Sequence, residues 1–188
     1  IDVLPGGVFY HSIVVNKPAG TLTAGSALTL TGNLSLNNGT FADGGNIITI
    51  FGNISGSAGQ HVSTGGGKIL LTGGSAAHDI SNVDLGKLDI DDATYGAVVT
   101  LAPGIKNLVL TNGVFDISNG LYILNTGSIS KSSGSFSSSG NVYFNGSGSV
   151  GGGVAFSGVY LDGAVDFGSG SSISNLLQIN SGGSVINK

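Results

Sequence analysis

The chain contains no glutamate and no arginine. Its 10 acidic residues are all Asp and its 6 basic residues all Lys. Long charged side chains are good helix formers, and with only 9% charged residues the material for amphipathic surface helices is missing. A net charge of −4 without a single guanidinium argues against a nucleic-acid partner, because nothing here neutralises a run of phosphates. Cysteine is absent too, which removes any disulfide framework and fits a surface or secreted protein that folds without one. No apolar stretch approaches the roughly 20 residues of a membrane-crossing helix, so no membrane span is expected.

What remains is 35 Gly, 40% apolar residues and a large share of Ser, Thr and Asn. Glycine, small polar and β-branched residues favour turns and strands, which predicts an all-β protein. Disorder is excluded by the recurring apolar pattern, and collagen by the lack of a three-residue glycine period. At this length one domain, residues 1–188, is expected.

The chain repeats itself. "LSLNNGTF" at 34–41 returns as "LVLTNGVF" at 108–115, 74 positions on, with a weaker copy at Leu177, Ile179 and Gly182. A second pattern, apolar-x-x-apolar-x-apolar followed by Asn or Asp, starts at Tyr10, Leu85 and Phe156. "KILLTG" at 68–73 matches "NVYFNG" at 141–146. Imperfect long repeats are therefore expected over about 10–84, 85–155 and 156–188. Within them, short apolar-polar-apolar runs bounded by Gly, Asn or Ser return every 14–21 residues. That rhythm predicts coils of about 18–20 residues, roughly four per long repeat.

Two architectures fit. Asn-Gly pairs at 38–39, 112–113, 119–120 and 145–146 suit the hairpins of an antiparallel sandwich. Long-range self-similarity and the glycine load suit a parallel, right-handed β-solenoid of about nine to ten short coils, and this is the favoured reading. Inward positions then form apolar columns, outward positions form Ser, Thr and Asn ladders, and corner Asn and Asp residues stack.

Stretches such as "IVVNKPAGTLTAGSALTLTGNLSLNNGTF" and "LDIDDATYGAVVTLAPGIKNLVLTNGVF" resemble the β-solenoid repeat segments of large secreted bacterial surface proteins, the adhesin-like and filamentous-haemagglutinin-like class. The resemblance covers residues 8–188. It implies an extended, rigid element at the cell surface or outside the cell, and it carries no catalytic residues to this chain.

Few constellations offer chemistry. Asp89 and Asp91 share one side of the strand "LDID", with Asp92 at the next corner, and together they form a candidate Ca²⁺ site. Against it, the glycine-aspartate nonapeptide of calcium-binding solenoids is missing. No other cofactor is expected. Sugar-acid catalysis of the kind seen on β-helices needs clustered acids and bases, and only Lys87 and Lys106 fall near the Asp group. An enzyme is therefore not expected. His11, His61 and His78 lie at no metal-ligand spacing. "STGGGK" at 63–68 lacks the Ser or Thr and the helix that complete a phosphate loop. Alternating Thr21, Thr23, Thr29 and Thr31 raise ice binding, but the ladder is not sustained at 129–149.

The ends carry a different signal. The sequence opens at Ile1, which reads as a processed or excised piece. Apolar alternation begins at Val8 and Phe9 and still runs at Val185, with no amphipathic helix to cap either end. The expected function is thus structural: an extracellular rod whose partners are copies of itself end to end or flanking solenoid segments. The self-association edges are Val8, Phe9, Ile13 and Val15 at one end and Leu177, Ile179 and Val185 at the other. The alternative is an adhesin module that binds surface glycans on an outer face. Its tools would be Tyr10, Tyr95, Tyr122, Tyr143 and Tyr160, provided that they line up along one side.

Overall fold

The computed structural model describes residues 2–5, 9–137 and 139–186. It is all-β, with 64% of residues in strands, no helix among the described residues and about nine turns of a parallel β-solenoid. Every strand pairing among the described residues is parallel and links one coil to the next, so the Asn-Gly pairs do not close hairpins. They are corners: Gly39, Gly113 and Gly120 sit at φ of 81°, 85° and 86°, in the left-handed region that a glycine enters freely.

Three stacks of strands define three faces of the rod. The first passes through Ile13, Leu34, Ile54 and Ile80 and on to Val99. The second includes Phe41 paired with His61, then Leu85, Ile105, Ile123, Phe144 and Leu161 in register. The third stacks Leu28, Ile48, Ile69, Leu88, Leu108 and Ile129. Strand alternation sends these side chains inward, where they are buried to within a few per cent of completely. The result is a single continuous apolar core, the main stabilising term of the fold. Phe115, Phe136 and Phe156 add an aromatic column inside the first face, with ring centroids 6.0 and 5.3 Å apart.

Corners are held by ladders of short polar side chains. Ser12 Oγ accepts the Asn33 N–H, Asn33 Oδ1 accepts the Asn53 N–H, and Asn53 Oδ1 accepts the Asp79 N–H. Each bond crosses one coil and satisfies a backbone donor that the bend removes from the sheet. Similar links join Asn112 to Asp91 and Asn180 to Asp162. Coil length is less uniform than the expected 18–20 residues: Val142 pairs with Val159, whereas Ile54 pairs with Ile80. The longer coil carries the loop at 72–77.

The long repeat does not span four coils. Leu34 lies on the first face, but its copy Leu108 lies on the third, and the weaker copy at Leu177 lies on the second. Likewise Ile13, Leu88 and Val159 of the second pattern fall on three different faces. One repeat therefore covers three coils and two of the three faces. The strand-corner-strand phrase is the same wherever it lands, because every inward position and every corner makes the same demand.

Candidate functional site

The most distinctive surface is the end of the stack. The last coil, Ser172–Ile179 and Ser184–Ile186, keeps the inward apolar pattern, but among the described residues nothing lies over it. Leu177 ends the column of Leu121, Val142 and Val159. Those three are fully buried, whereas Leu177 is 43% exposed. Ile179 follows fully buried Leu161 and is 50% exposed; Val185 follows fully buried Val165 and is 43% exposed. Among the described residues the strand Ser172–Ile179 pairs only with the coil behind it, so the backbone groups on its other side are an open edge.

At the opposite end, Asp2–Leu4 lies over the second face and Phe9–Tyr10 over the third. Leu4 and Tyr10 pack against the core, and Ile13 and Val15 are buried. Their side chains are thus not exposed, although among the described residues no preceding strand pairs with Ile13–Val15. Phe9, 77% exposed, and Val3 are the apolar side chains presented there. Val8 lies outside the described residues.

The candidate calcium set is not gathered into one site. Asp89 accepts from Lys68 Nζ at 2.6 Å and from Thr111 Oγ1 at 2.7 Å. Asp91 accepts from Asn112 Nδ2 at 2.6 Å. Asp92 is buried and points elsewhere: its Oδ1 accepts the Thr94 and Tyr95 N–H groups, and its Oδ2 faces the Gly74 N–H and His78 Nε2. Each carboxylate is thus held by protein donors, and among the described residues no group of three His or Asp side chains is arranged around a metal. Lys87 and Lys106 take no part; the partner of Asp89 is Lys68, one coil behind.

Two histidines occupy unexpected places. His78 sits between the Gly52 carbonyl, 2.7 Å from Nδ1, and Asp92, 3.2 Å from Nε2, tying the loop at 72–77 to both neighbouring coils. His61 takes an inward position below Phe41, where other coils place Leu, Ile or Phe. Its Nε2 lies 3.4 Å from Asp43 Oδ2, with both side chains fully buried. That is a polar contact outside hydrogen-bond geometry, and among the described residues neither His61 nitrogen nor Asp43 Oδ2 has a hydrogen-bond partner.

Burial raises the pKa of the Asp43 carboxyl, but the His61 imidazole, the Gly45 and Thr64 N–H groups and the Ser63 hydroxyl outweigh it and hold the group below its ordinary value. At Asp92 burial is likewise outweighed, by the Tyr95, Gly74 and Thr94 N–H groups and by His78. Asp116 is lowered chiefly by the Ser118 hydroxyl and N–H.

The tyrosines divide. Tyr122, Tyr143 and Tyr160 are in register on the outer side of the second face and form one stack. Ring centroids are 4.9 and 4.7 Å apart and the planes lie within 24° and 16° of parallel. Tyr10 and Tyr95 stand apart from it. The threonine columns are short: Thr21 meets Thr40 and then Gln60, and Thr29 meets Thr49 and then Leu70.

No family model, curated protein or solved structure matches this chain. The reading of its function therefore rests on the geometry alone. Of that geometry, the open last coil follows from features visible in the sequence, whereas the tyrosine row needs the coil-by-coil register. The Lys68–Asp89 and His78–Asp92 pairs were missed; the first differs by 21 positions, one coil, and a scan at that spacing finds it.

Proposed function

We propose that this chain is a structural solenoid that works by stacking, as a subunit of an extracellular filament or as part of a surface stalk. The observation that carries the reading is the last coil, whose Leu177, Ile179 and Val185 repeat a buried pattern in an exposed position beside an open strand edge. Full burial of such a side chain contributes about 1.5–3 kcal/mol; three of them, about half covered already, leave roughly 2–4 kcal/mol to be gained by one further coil. Added strand pairing supplies both affinity and register. The covering coil is the first coil of another copy in a filament, or an adjoining solenoid segment in a stalk. Head-to-tail contact of this kind does not close on itself and gives rods. The low charge of the surface is compatible with such packing.

Sedimentation velocity over a dilution series, with electron microscopy of the concentrated sample, tests the filament. Rods that dissociate on dilution are expected, and Ile179→Lys is expected to give monomers with an unchanged β spectrum. Monodisperse particles of the unmodified chain at the highest concentration would remove the filament and leave the stalk.

A further inference from the structure

Four corners carry Asn followed by Gly, at 38–39, 112–113, 119–120 and 145–146. The pair is chemically labile. The glycine nitrogen can attack the side-chain carbonyl carbon of the asparagine, Cγ, and no Cβ on the glycine shields that nitrogen or restricts its approach. The attack needs two freedoms. The Asn side chain must be able to swing back over its own backbone, and the Gly N–H must not be committed to a hydrogen bond. The four corners differ in both.

Asn119–Gly120 has neither freedom. The Asn119 amide donates to the Val99 carbonyl at 2.9 Å, and the Gly120 N–H donates to the Ile117 carbonyl at 2.8 Å. Asn112 is tethered by its side chain, which donates to Asp91 Oδ1 at 2.6 Å. Asn38–Gly39 is held through the backbone: Asn38 lies in register between Asn16 and Ala58, and Gly39 pairs with Gly59. Asn145 is different. It is exposed, and among the described residues neither its side-chain amide nor the Gly146 N–H makes a hydrogen bond. Glycine is nonetheless required beside it: Gly146 sits at φ 132°, and a Cβ there would meet Asn125 Oδ1 at 2.5 Å. The reactive pair is thus built into this corner.

We propose that Asn145 is a site of spontaneous modification, where asparagine is converted to aspartate and isoaspartate while the fold protects the other three pairs. The Gly146 nitrogen bonds to Asn145 Cγ and gives up its proton to solvent. The Cγ–Nδ2 bond breaks, and Nδ2 takes a proton from solvent and leaves as ammonia. Water then opens the cyclic imide at either carbonyl, so the net change consumes one water and releases one ammonia. Either product strains a joint between coils. Phe144 pairs with Leu161, so the residues that follow them, Asn145 and Asp162, are neighbours along the stack. A carboxylate at 145 would stand one rung, about 4.8 Å, from Asp162 and repel it. Isoaspartate adds a methylene to the backbone of a corner that two bonds tie to the coil behind: Thr126 N–H to the Ser147 carbonyl, and Ser147 N–H to Asn125 Oδ1. This chemistry does not depend on end-to-end stacking, and either holds without the other.

Incubation of the full chain in warm, mildly alkaline buffer, followed by peptide mass spectrometry and an isoaspartate methylation assay, tests it. A parallel sample in concentrated guanidinium, shown by circular dichroism to be unfolded, supplies the reference rates. In the folded chain Asn145 is expected to react first. The hydrogen bonds that must break before Asn119 can cyclise should slow that residue about tenfold or more relative to Asn145. In guanidinium the four pairs should react at similar rates, because each is then only an Asn followed by a Gly. Asn145→Gln, whose longer side chain disfavours the cyclic imide, should remove the first acidic species seen on isoelectric focusing and leave the β spectrum unchanged. Asn145 reacting no faster than the other three in the folded chain, the same spread of rates in guanidinium, or persistence of the first acidic species in Asn145→Gln would each overturn the assignment.

Discussion

Leu161 and Ile179 occupy the same inward column in adjacent coils, and truncating each to alanine separates a covered rung from an uncovered one. Leu161 is fully buried between Phe144 and Ile179, so Leu161→Ala leaves a cavity and should cost about 2–5 kcal/mol. Ile179 is half exposed and its truncation opens no enclosed space, so at low concentration Ile179→Ala should cost about 1 kcal/mol or less. Guanidinium unfolding followed by far-ultraviolet circular dichroism reads both. The two values carry a concentration dependence as well. If a second copy covers the last coil, the cost of Ile179→Ala rises toward that of Leu161→Ala as the protein is concentrated, because only the associated state buries the side chain fully. Equal costs at micromolar protein would show that the last coil is not open. A difference that stays constant up to millimolar protein would show that no copy stacks on it.

Other outcomes follow from the buried polar groups. Lys68→Met should destabilise the fold by about 2–3 kcal/mol by leaving the Asp89 carboxylate short of its cation, and the double variant Lys68→Met/Asp89→Asn should recover most of that loss; thermal denaturation of these two variants beside the parent checks it. The carboxyls of Asp43, Asp92 and Asp116 are all held below their ordinary value, so their contribution is complete above about pH 4 and is lost as the pH falls through their lower folded values. Stability measured from pH 7 to pH 2 should therefore drop only in that acid window, and Asp92→Asn should flatten the drop; an unchanged acid profile in that variant would contradict the sign. Asp92→Ala should also free the loop at 72–77, seen as faster amide exchange at Gly74, Thr94 and Tyr95.

Strand content, parallel stacking and the inward columns were legible in the sequence, because alternation in a run such as "LTLTGNLSL" admits only one side as the core. The long repeat was legible too, but its length in coils was not. A phrase such as "LVLTNGVF" states that a strand turns a corner and continues, without stating which of three equivalent corners it turns. The open last coil was foreshadowed by apolar alternation running to Val185, whereas the burial of Ile13 and Val15 was not, since what lies over them is a tertiary matter. Lone His and Asp residues gave no hint of partners, because His78 and Asp92 are 14 positions apart, less than a full coil, and meet only where the coil that starts at His78 comes round. Tyr122, Tyr143 and Tyr160 differ by 21 and 17 positions, so only a known coil-by-coil register shows them to be one stack.

Because each long repeat stops one face short of closing, successive copies are set around the shaft like treads of a winding stair. A decoration inherited with one copy points a third of the way around from the same decoration on the next. Loss or gain of one whole copy by slippage between "LSLNNGTF" and "LVLTNGVF" would keep inside and outside in step while swinging everything downstream onto a neighbouring side. The rod could change its length without mending its core, and would alter its outward presentation each time it did so.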